Sequence, residues 1–354
     1  MTTRTGRSTR RTRARPHPVL LASRPEGPDA EASAIVDLLD DALAHGTDAI
    51  SIDVDGRPVA LSSLTKRYFP QGGPGAQSKG DMLRYYLAVA PVILPHLAER
   101  PVVLTRYPDG AGTKGFYVQR APEQRPPWVT TCTTSIKPPK QLTFLRIESA
   151  AALAWVANLG AIELHPWYAR CSAPTKPDFL VIDLDPQEGT RFEKVRAAAL
   201  HVKEALDAWA LPSCIKTSGK SGLHLYVPIV RGPTQREVHA VARDLALAIA
   251  ARHPRLFTTE YRIANRPRGT VLLDFNQNSA GHTLAGAYSV RPTPSATVAT
   301  PITWGELQAG AVPRDFTLVT VPMRLAQQGD PWGDLARRRV DLLEWKEGLL
   351  RRAG

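Results

Sequence analysis

The sequence predicts an α/β chain of the α+β kind, with mixed, largely antiparallel sheets flanked by helices. Three observations predict it. Strand-like and helix-like segments mix without strict βαβ alternation. Short turn signals, such as Asp55-Gly56, join neighbouring strands directly. Long segments with helical periodicity carry stop and start residues at their ends, such as Gly160 and Ser78.

The elements follow in order. Residues 1–30 read as a polar, Pro-containing tail, and 31–45 as a short amphipathic helix. The tail and this helix form a basic, largely flexible unit, 1–47, ahead of a catalytic domain, 48–354. Residues 49–54 and 58–61 flank the Asp55-Gly56 turn as a hairpin. A Gly-rich loop, 71–77, leads to Ser78, which caps a helix running to about Glu99, with Asp81 in its first turn. Residues 101–106 form a strand, 110–115 a loop, and 116–119 a further strand. The Ala-rich helix 148–159 stops at Gly160. Strands follow at 161–165 and 179–185, then a long helix, 191–211. Strands 213–217 and 223–229 enclose a small-residue loop. The remainder is a helix at 234–253, strands at 270–275 and 287–291, and a basic amphipathic helix at 341–352. There is no internal repeat.

With 43% apolar and 22% charged residues, the composition is that of a soluble globular protein. No apolar run is long enough to span a bilayer; the best, around 86–98, is broken by Pro91 and Pro95. No apolar core segment follows the charged N-terminus, so no signal peptide is expected. Three widely spaced cysteines, Cys132, Cys171 and Cys214, form no CxxC; they fit a reducing cytosol and speak against structural zinc. The net charge is +12, and six arginines fall within the first 15 residues. Without them, 45 less 6 leaves 39 basic residues against 33 acidic, so the rest of the chain is also basic. That balance suits a polyanionic partner, most simply nucleic acid.

The stretch "TSGKSGLH", 217–224, resembles the end of a P-loop and fails its test. The required Gly is Cys214, and a strand follows where a helix should. Ser218, Ser221, two Gly amides, Lys216 and Lys220 still suit an anion; read alone, the stretch is first an ordinary hairpin turn. The strongest signal is "PDFLVIDLDP", 177–186. Asp183 and Asp185 share one face at the end of an apolar strand, Cα atoms about 6.6 Å apart. They would repel each other unless a cation lay between them. Two divalent ions about 3.5–4 Å apart fit that spacing. The alternative is a solvated strand end. Asp274, closing the apolar run of "TVLLDFNQN", adds a third carboxylate. His224 shares a face with Tyr226, opposite the Leu223/Leu225/Val227 face, and stands beside the loop as a phosphate donor or a core histidine. Carboxylates for metals beside a loop for a triphosphate describe nucleotidyl transfer.

These residues resemble the archaeo-eukaryotic primase superfamily, and more closely the polymerase domain of bacterial ATP-dependent DNA ligase D. The matching stretches run in family order over about residues 50–310: "LTKRYFP", "SKGDMLRYYLAVAPVILPHL", "RPVVLTRYPDG", "GFYVQRAP", "WVANLGAIELHPW", "PDFLVIDLDP", "IKTSGKSGLHLYVPI", "VLLDFNQN" and "AYSVRPTPSATVATPITWGEL". The resemblance implies the primase-polymerase fold and template-dependent addition of nucleotides, often ribonucleotides, to a DNA 3′-hydroxyl in non-homologous end joining. It implies Asp183, Asp185 and Asp274 as ligands of two Mn²⁺ or Mg²⁺ ions. It implies Lys216, Ser218, Lys220, Ser221, His224, His165, Arg291 and Arg106 around the incoming NTP or dNTP. Lys66 and Lys79 match a pair that grips a DNA 5′-phosphate across a gap, a task suited to a point charge. Phe116 and Tyr117 match an aromatic pair that stacks on template bases. In this chain Lys220-Ser221-Gly222 departs from the family's Lys-Gly order, which leaves open whether Lys216 or Lys220 meets the phosphates. No ligase-type nucleophilic lysine motif is seen. The resemblance thus implies a stand-alone polymerase of the bacterial nucleoid, working on gapped or broken DNA with Ku and a separate ligase as partners. Other readings are a primase-polymerase that starts strands de novo, a nuclease, and a non-catalytic end-bridging module. Clustered carboxylates count against the last of these.

Overall fold

The computed structural model describes residues 19–20, 28–69, 76–137 and 140–353. The arginine-rich stretch 1–15 and most of the expected Gly-rich loop 71–77 lie outside the described residues.

Two sheets organise the chain. The larger has six strands in the order Phe257–Thr258, Val271–Asp274, Phe179–Pro186, Leu223–Pro228, Cys214–Thr217 and Pro301–Ile302. All its neighbours are antiparallel except the first pair. Alternation decides which side is buried. Leu180, Ile182 and Leu184 on the central strand and Leu223, Leu225 and Val227 beside it form one apolar face. Helices Phe192–Ala208 and Gln235–Arg252 contact these strands. They bring Val195, Ala199 and Val202, and Val238, Leu245 and Ile249, into the core. Those spacings of three, four and seven are one face of a helix. The second helix starts at a Thr234–Glu237 capping box.

The second sheet runs Ala161–Pro166, Val102–Arg106, Lys140–Leu145, Thr131–Lys137, with Phe116–Val118 also pairing with Val102–Arg106. A two-stranded ribbon, Ser289–Val290 with Val298–Ala299, contacts both Ala161–Pro166 and Cys214–Thr217. It therefore ties the two sheets together. A smaller sheet contains Ala49–Val54 and Arg57–Ser62 around the Asp55-Gly56 turn, where both residues have positive φ.

Four expectations change. The helix expected over 78–99 is two, Lys79–Ala88 and Ala90–Leu97, broken at Val89. Pro91 lacks the N–H for an unbroken helix, and its ring would meet the carbonyl four residues back. The hairpin Thr131–Lys137/Lys140–Leu145 had no sequence counterpart. The helix before the first hairpin is Pro28–Ala44, and Ile35, Leu39 and Ala42 are core residues, so the division at 47/48 is no break in packing. Finally, Cys132 and Cys171 are joined in a disulfide, leaving Cys214 as the free cysteine among the described residues. The fold brings together two cysteines that lie 39 residues apart in sequence.

Candidate active site

The polar face of the six-stranded sheet carries one row of directly opposed residues. Asp274 is opposite Asp183, Asp183 is opposite His224, and His224 is opposite Lys216. Residues directly opposed in antiparallel strands point to the same side. Four strands thus place two carboxylates, an imidazole and an ammonium in line, with Asp185 two residues along from Asp183 on the same face.

Lys216, His224 and Asp274 are buried and Asp183 is half-buried, and the charges of the row respond. Burial, then the neighbouring Asp274 and Asp185, push the Asp183 carboxyl well above the ordinary carboxylate range. Its nearest partner is His224 Nε2, at 3.5 Å. Burial, then the Lys216 and Arg291 charges, hold His224 well below its usual pKa. Lys216 is fully buried, and burial and Arg291 lower its ammonium strongly. Asp185 accepts from Arg266 Nη1 at 3.0 Å. Asp274 accepts from the Asn276 amide and Gln277 Nε2, both at 2.9 Å. With Asp185 and Asp274 so engaged, no three His, Cys, Asp or Glu side chains among the described residues close to ligand distance as they stand.

The loop between Cys214–Thr217 and Leu223–Pro228 is closed by Ser218. Its Oγ accepts from the Lys220 and Gly222 amides, and its own amide donates to the Gly222 carbonyl. Gly219 has φ +71° and lies against Arg291. A Cβ at Gly222 would lie 2.5 Å from the Leu184 carbonyl oxygen, so the loop presses on the backbone between Asp183 and Asp185. Lys216 belongs to the row, whereas Lys220 and Ser221 are exposed on the loop.

The second sheet supplies the facing wall. His165 is buried, with Nε2 3.0 Å from Thr105 Oγ1. Glu163 Oε1 is 2.8 Å from Arg291 Nε, and Arg291 Nη1 donates to the Ser218 carbonyl at 2.7 Å. Arg291 therefore spans from the wall to the loop. Two buried nitrogens here, His224 Nδ1 and His165 Nδ1, have no hydrogen-bond partner among the described residues.

The other expected residues form a separate corner. The Lys79 amide donates to the Lys66 carbonyl, so the two lysines are neighbours. Lys79 Nζ is held by the Ser62 carbonyl and Asn158 Oδ1, and Lys66 Nζ by the Pro108 carbonyl and Asp109. Arg106, grouped by sequence with the nucleotide loop, has its contacts at this corner. Its Nε donates to the Leu159 carbonyl, its guanidinium lies 5.5 Å over the Phe116 ring, and its charge acts on Lys79. Phe116 and Tyr117 are 47% and 71% exposed, unusual for large aromatics without a partner surface. The Tyr117 ring lies 6.0 Å from that of His165, linking the exposed strand to the buried wall.

Sequence reasoning missed Glu163, Tyr107, Arg266, Asn158 and Gln277. Glu163 was legible: a lone acid in the apolar run "AIELHP", two residues from His165 and on its face. Arg266 lies in an irregular basic segment, where only the fold says which acid it meets.

Residues 78–332 match the family model described as LigD, primase-polymerase domain. The multifunctional non-homologous end joining DNA repair protein LigD of Mycobacterium tuberculosis H37Rv is 32% identical over 280 residues, 77% of this chain and 36% of that protein. The bifunctional non-homologous end joining protein LigD of Bacillus subtilis 168 is 32% identical over 282 residues, 79% of this chain and 44% of that protein. The chain thus covers between a third and a half of these relatives' length. Among solved structures, the polymerase domain from Mycobacterium tuberculosis ligase D in complex with DNA superposes with a TM-score of 0.71 at 31% identity, covering 78% of this chain and 98% of that one. With the match spanning most of its length, this chain belongs to the LigD primase-polymerase domain family.

Proposed function

We propose that this chain is a template-dependent nucleotidyltransferase that adds nucleotides to a DNA 3′-hydroxyl at gaps or broken ends, in end-joining repair. One observation carries the reading: the single row Asp274–Asp183–His224–Lys216, which sets carboxylates for cations beside a loop and donors for an anion. The donor set fits Mg²⁺ or Mn²⁺. Its oxygens are hard ligands, and Asp183 is a largely buried carboxyl beside two other carboxylates, its ion-pair contact among the described residues being the imidazole at 3.5 Å. Asp183, Asp185 and Asp274 would hold the ions. Bound there, they would supply charge neutralisation and a lowered pKa for the attacking hydroxyl. The chain's own residues bind and orient. Lys216, His224 and Arg291 offer donors to the triphosphate, and burial strengthens each contact. Phe116 and Tyr117 offer stacking faces to template bases, and Lys66 and Lys79 offer charge to a 5′-phosphate. The polyanionic substrate also fits the basic balance of the chain. DNA, nucleotides, Ku and a ligase are the partners this reading requires.

The test is extension of a gapped duplex, with and without the downstream 5′-phosphate, with rNTP or dNTP, and with Mg²⁺ or Mn²⁺. Extension that requires template and is stimulated by the 5′-phosphate is expected; strand synthesis without a primer would favour a primase instead. Asp183→Ala is expected to abolish extension, a loss of at least about 10³-fold, while the affinity for gapped DNA changes little. Full activity in that variant would sink the assignment.

A further inference from the structure

Glu163 is an acid in a place built for anions. It is 5% exposed, on the wall that faces Lys220 and Arg291. A buried carboxylate is costly unless it is paired. All its partners belong to the nucleotide site or its wall. Arg291 Nε lies 2.8 Å from Oε1, His165 Nε2 lies 3.8 Å from Oε2, and Tyr107 OH donates to Oε2 at 3.2 Å. Burial alone would raise its pKa, but His165 and Arg291 hold it down to about 2, so the charge persists at any working pH.

Arg291 shows what that charge does. The side chain reaches from Glu163 to the Ser218 carbonyl, and Gly219 leaves it just enough room. Its charge acts unfavourably on Lys216 and Lys220. Without an anion on the wall, like-charge repulsion and rotamer entropy would both draw this long side chain away from the loop. Arg291 Nε is engaged by Glu163, whereas His165 Nδ1 has no hydrogen-bond partner among the described residues. That ring is held with a donor or acceptor in reserve. A carboxylate so neutralised repels an incoming phosphate little, and it fixes the groups that receive the phosphate before the phosphate arrives.

We infer that Glu163 is a positioning residue. It touches neither nucleotide nor DNA, and it holds Arg291 and His165 in the geometry that binds the incoming nucleotide's phosphates. This rests on the nucleotidyltransferase reading above.

The test is the nucleotide KM and kcat for gap filling, with binding of a fluorescent ATP analogue in the absence of DNA as a second measurement. Glu163→Gln keeps the shape and removes the charge. It is expected to raise KM and the analogue's Kd about tenfold, the size of one charge-assisted contact, with kcat within about threefold. In an Arg291→Ala background the same change should have a smaller effect, about threefold or less, because only the His165 route is left. Tyr107→Phe, measured in parallel, keeps the carboxylate and removes its hydroxyl donor; a smaller rise in KM and Kd is expected, and this variant decides if Glu163→Gln does not fold. An unchanged KM and Kd, or the same fold-loss with and without Arg291, overturns the inference. A wild-type chain that extends while Glu163→Gln behaves normally overturns this inference alone. A wild-type chain that neither extends nor binds nucleotide overturns both readings.

Discussion

At the scale of the residue, burial has the largest effect on chemistry. Lys79 is 6% exposed, and burial, with Lys66 beside it, lowers its ammonium to about 8. A lysine binds phosphate only while charged, so its contribution is present below that value and is lost as pH rises through it. The affinity difference between gapped duplexes with and without a 5′-phosphate should therefore shrink between pH 7 and pH 9. Lys79→Arg, which cannot deprotonate in this range, should keep the difference at pH 9. Fluorescence anisotropy on the two duplexes decides it; a difference independent of pH would show that Lys79 takes no part. The same physics separates the two lysines of the loop. Lys216 is sealed beside His224 and Asp183, whereas Lys220 is exposed on the loop, its charge acting on Arg291 and Glu163 of the wall.

At the scale of the element, the loop 218–222 and the central strand act as one part. A Gly222→Ala methyl would meet the Leu184 carbonyl oxygen at 2.5 Å, a backbone atom that yields only if the strand moves. Leu184 lies between Asp183 and Asp185, so the shift would reach both. Gly222→Ala is expected to destabilise the fold by about 1–3 kcal/mol and to cost extension at least tenfold. Thermal unfolding and single-nucleotide extension check the two effects, and wild-type activity would refute the coupling. Elements with strong local signals were legible. Ser78 and Thr234 cap helices through boxes with Asp81 and Glu237, and "FLVIDLD" is a short apolar run that ends in alternation, as a buried strand should. The hairpin Thr131–Lys137/Lys140–Leu145 was not. Its Thr-rich strands bury little, the first four residues of the second being exposed or half-buried, so they lack the apolar alternation that marks a strand.

At the scale of the whole molecule, the disulfide is the device the sequence argued against. Cys132 is on the hairpin and Cys171 follows the strand Ala161–Pro166, so the bond fastens the edge of the second sheet to the segment leading into the central strand. A cross-link closing a loop of this length contributes about 2–4 kcal/mol by restricting the unfolded chain. Thiol counting on the native, non-reduced protein should find Cys214 alone unpaired. Cys171→Ser should lower Tm under oxidising conditions and leave it unchanged in excess reductant; three free thiols in the native protein would contradict the pairing. Among the described residues no helix is long and apolar enough to cross a membrane.

The sequence by itself determined which residues share a face: Asp183 with Asp185, His224 with Tyr226, and the Leu/Val face that must be buried. That information is local, carried by a period of two along one strand. Only the tertiary structure decided which strand lies next to which, and in what register. It set Asp274 against Asp183 and His224 against Lys216, gave Asp185 to Arg266 and Arg291 to Glu163, and moved Arg106 to the Lys79 corner. The reason is physical. Cross-strand neighbours are chosen by burial and pairing over the whole chain, and a one-residue slip in register would have turned any of these side chains to the other face.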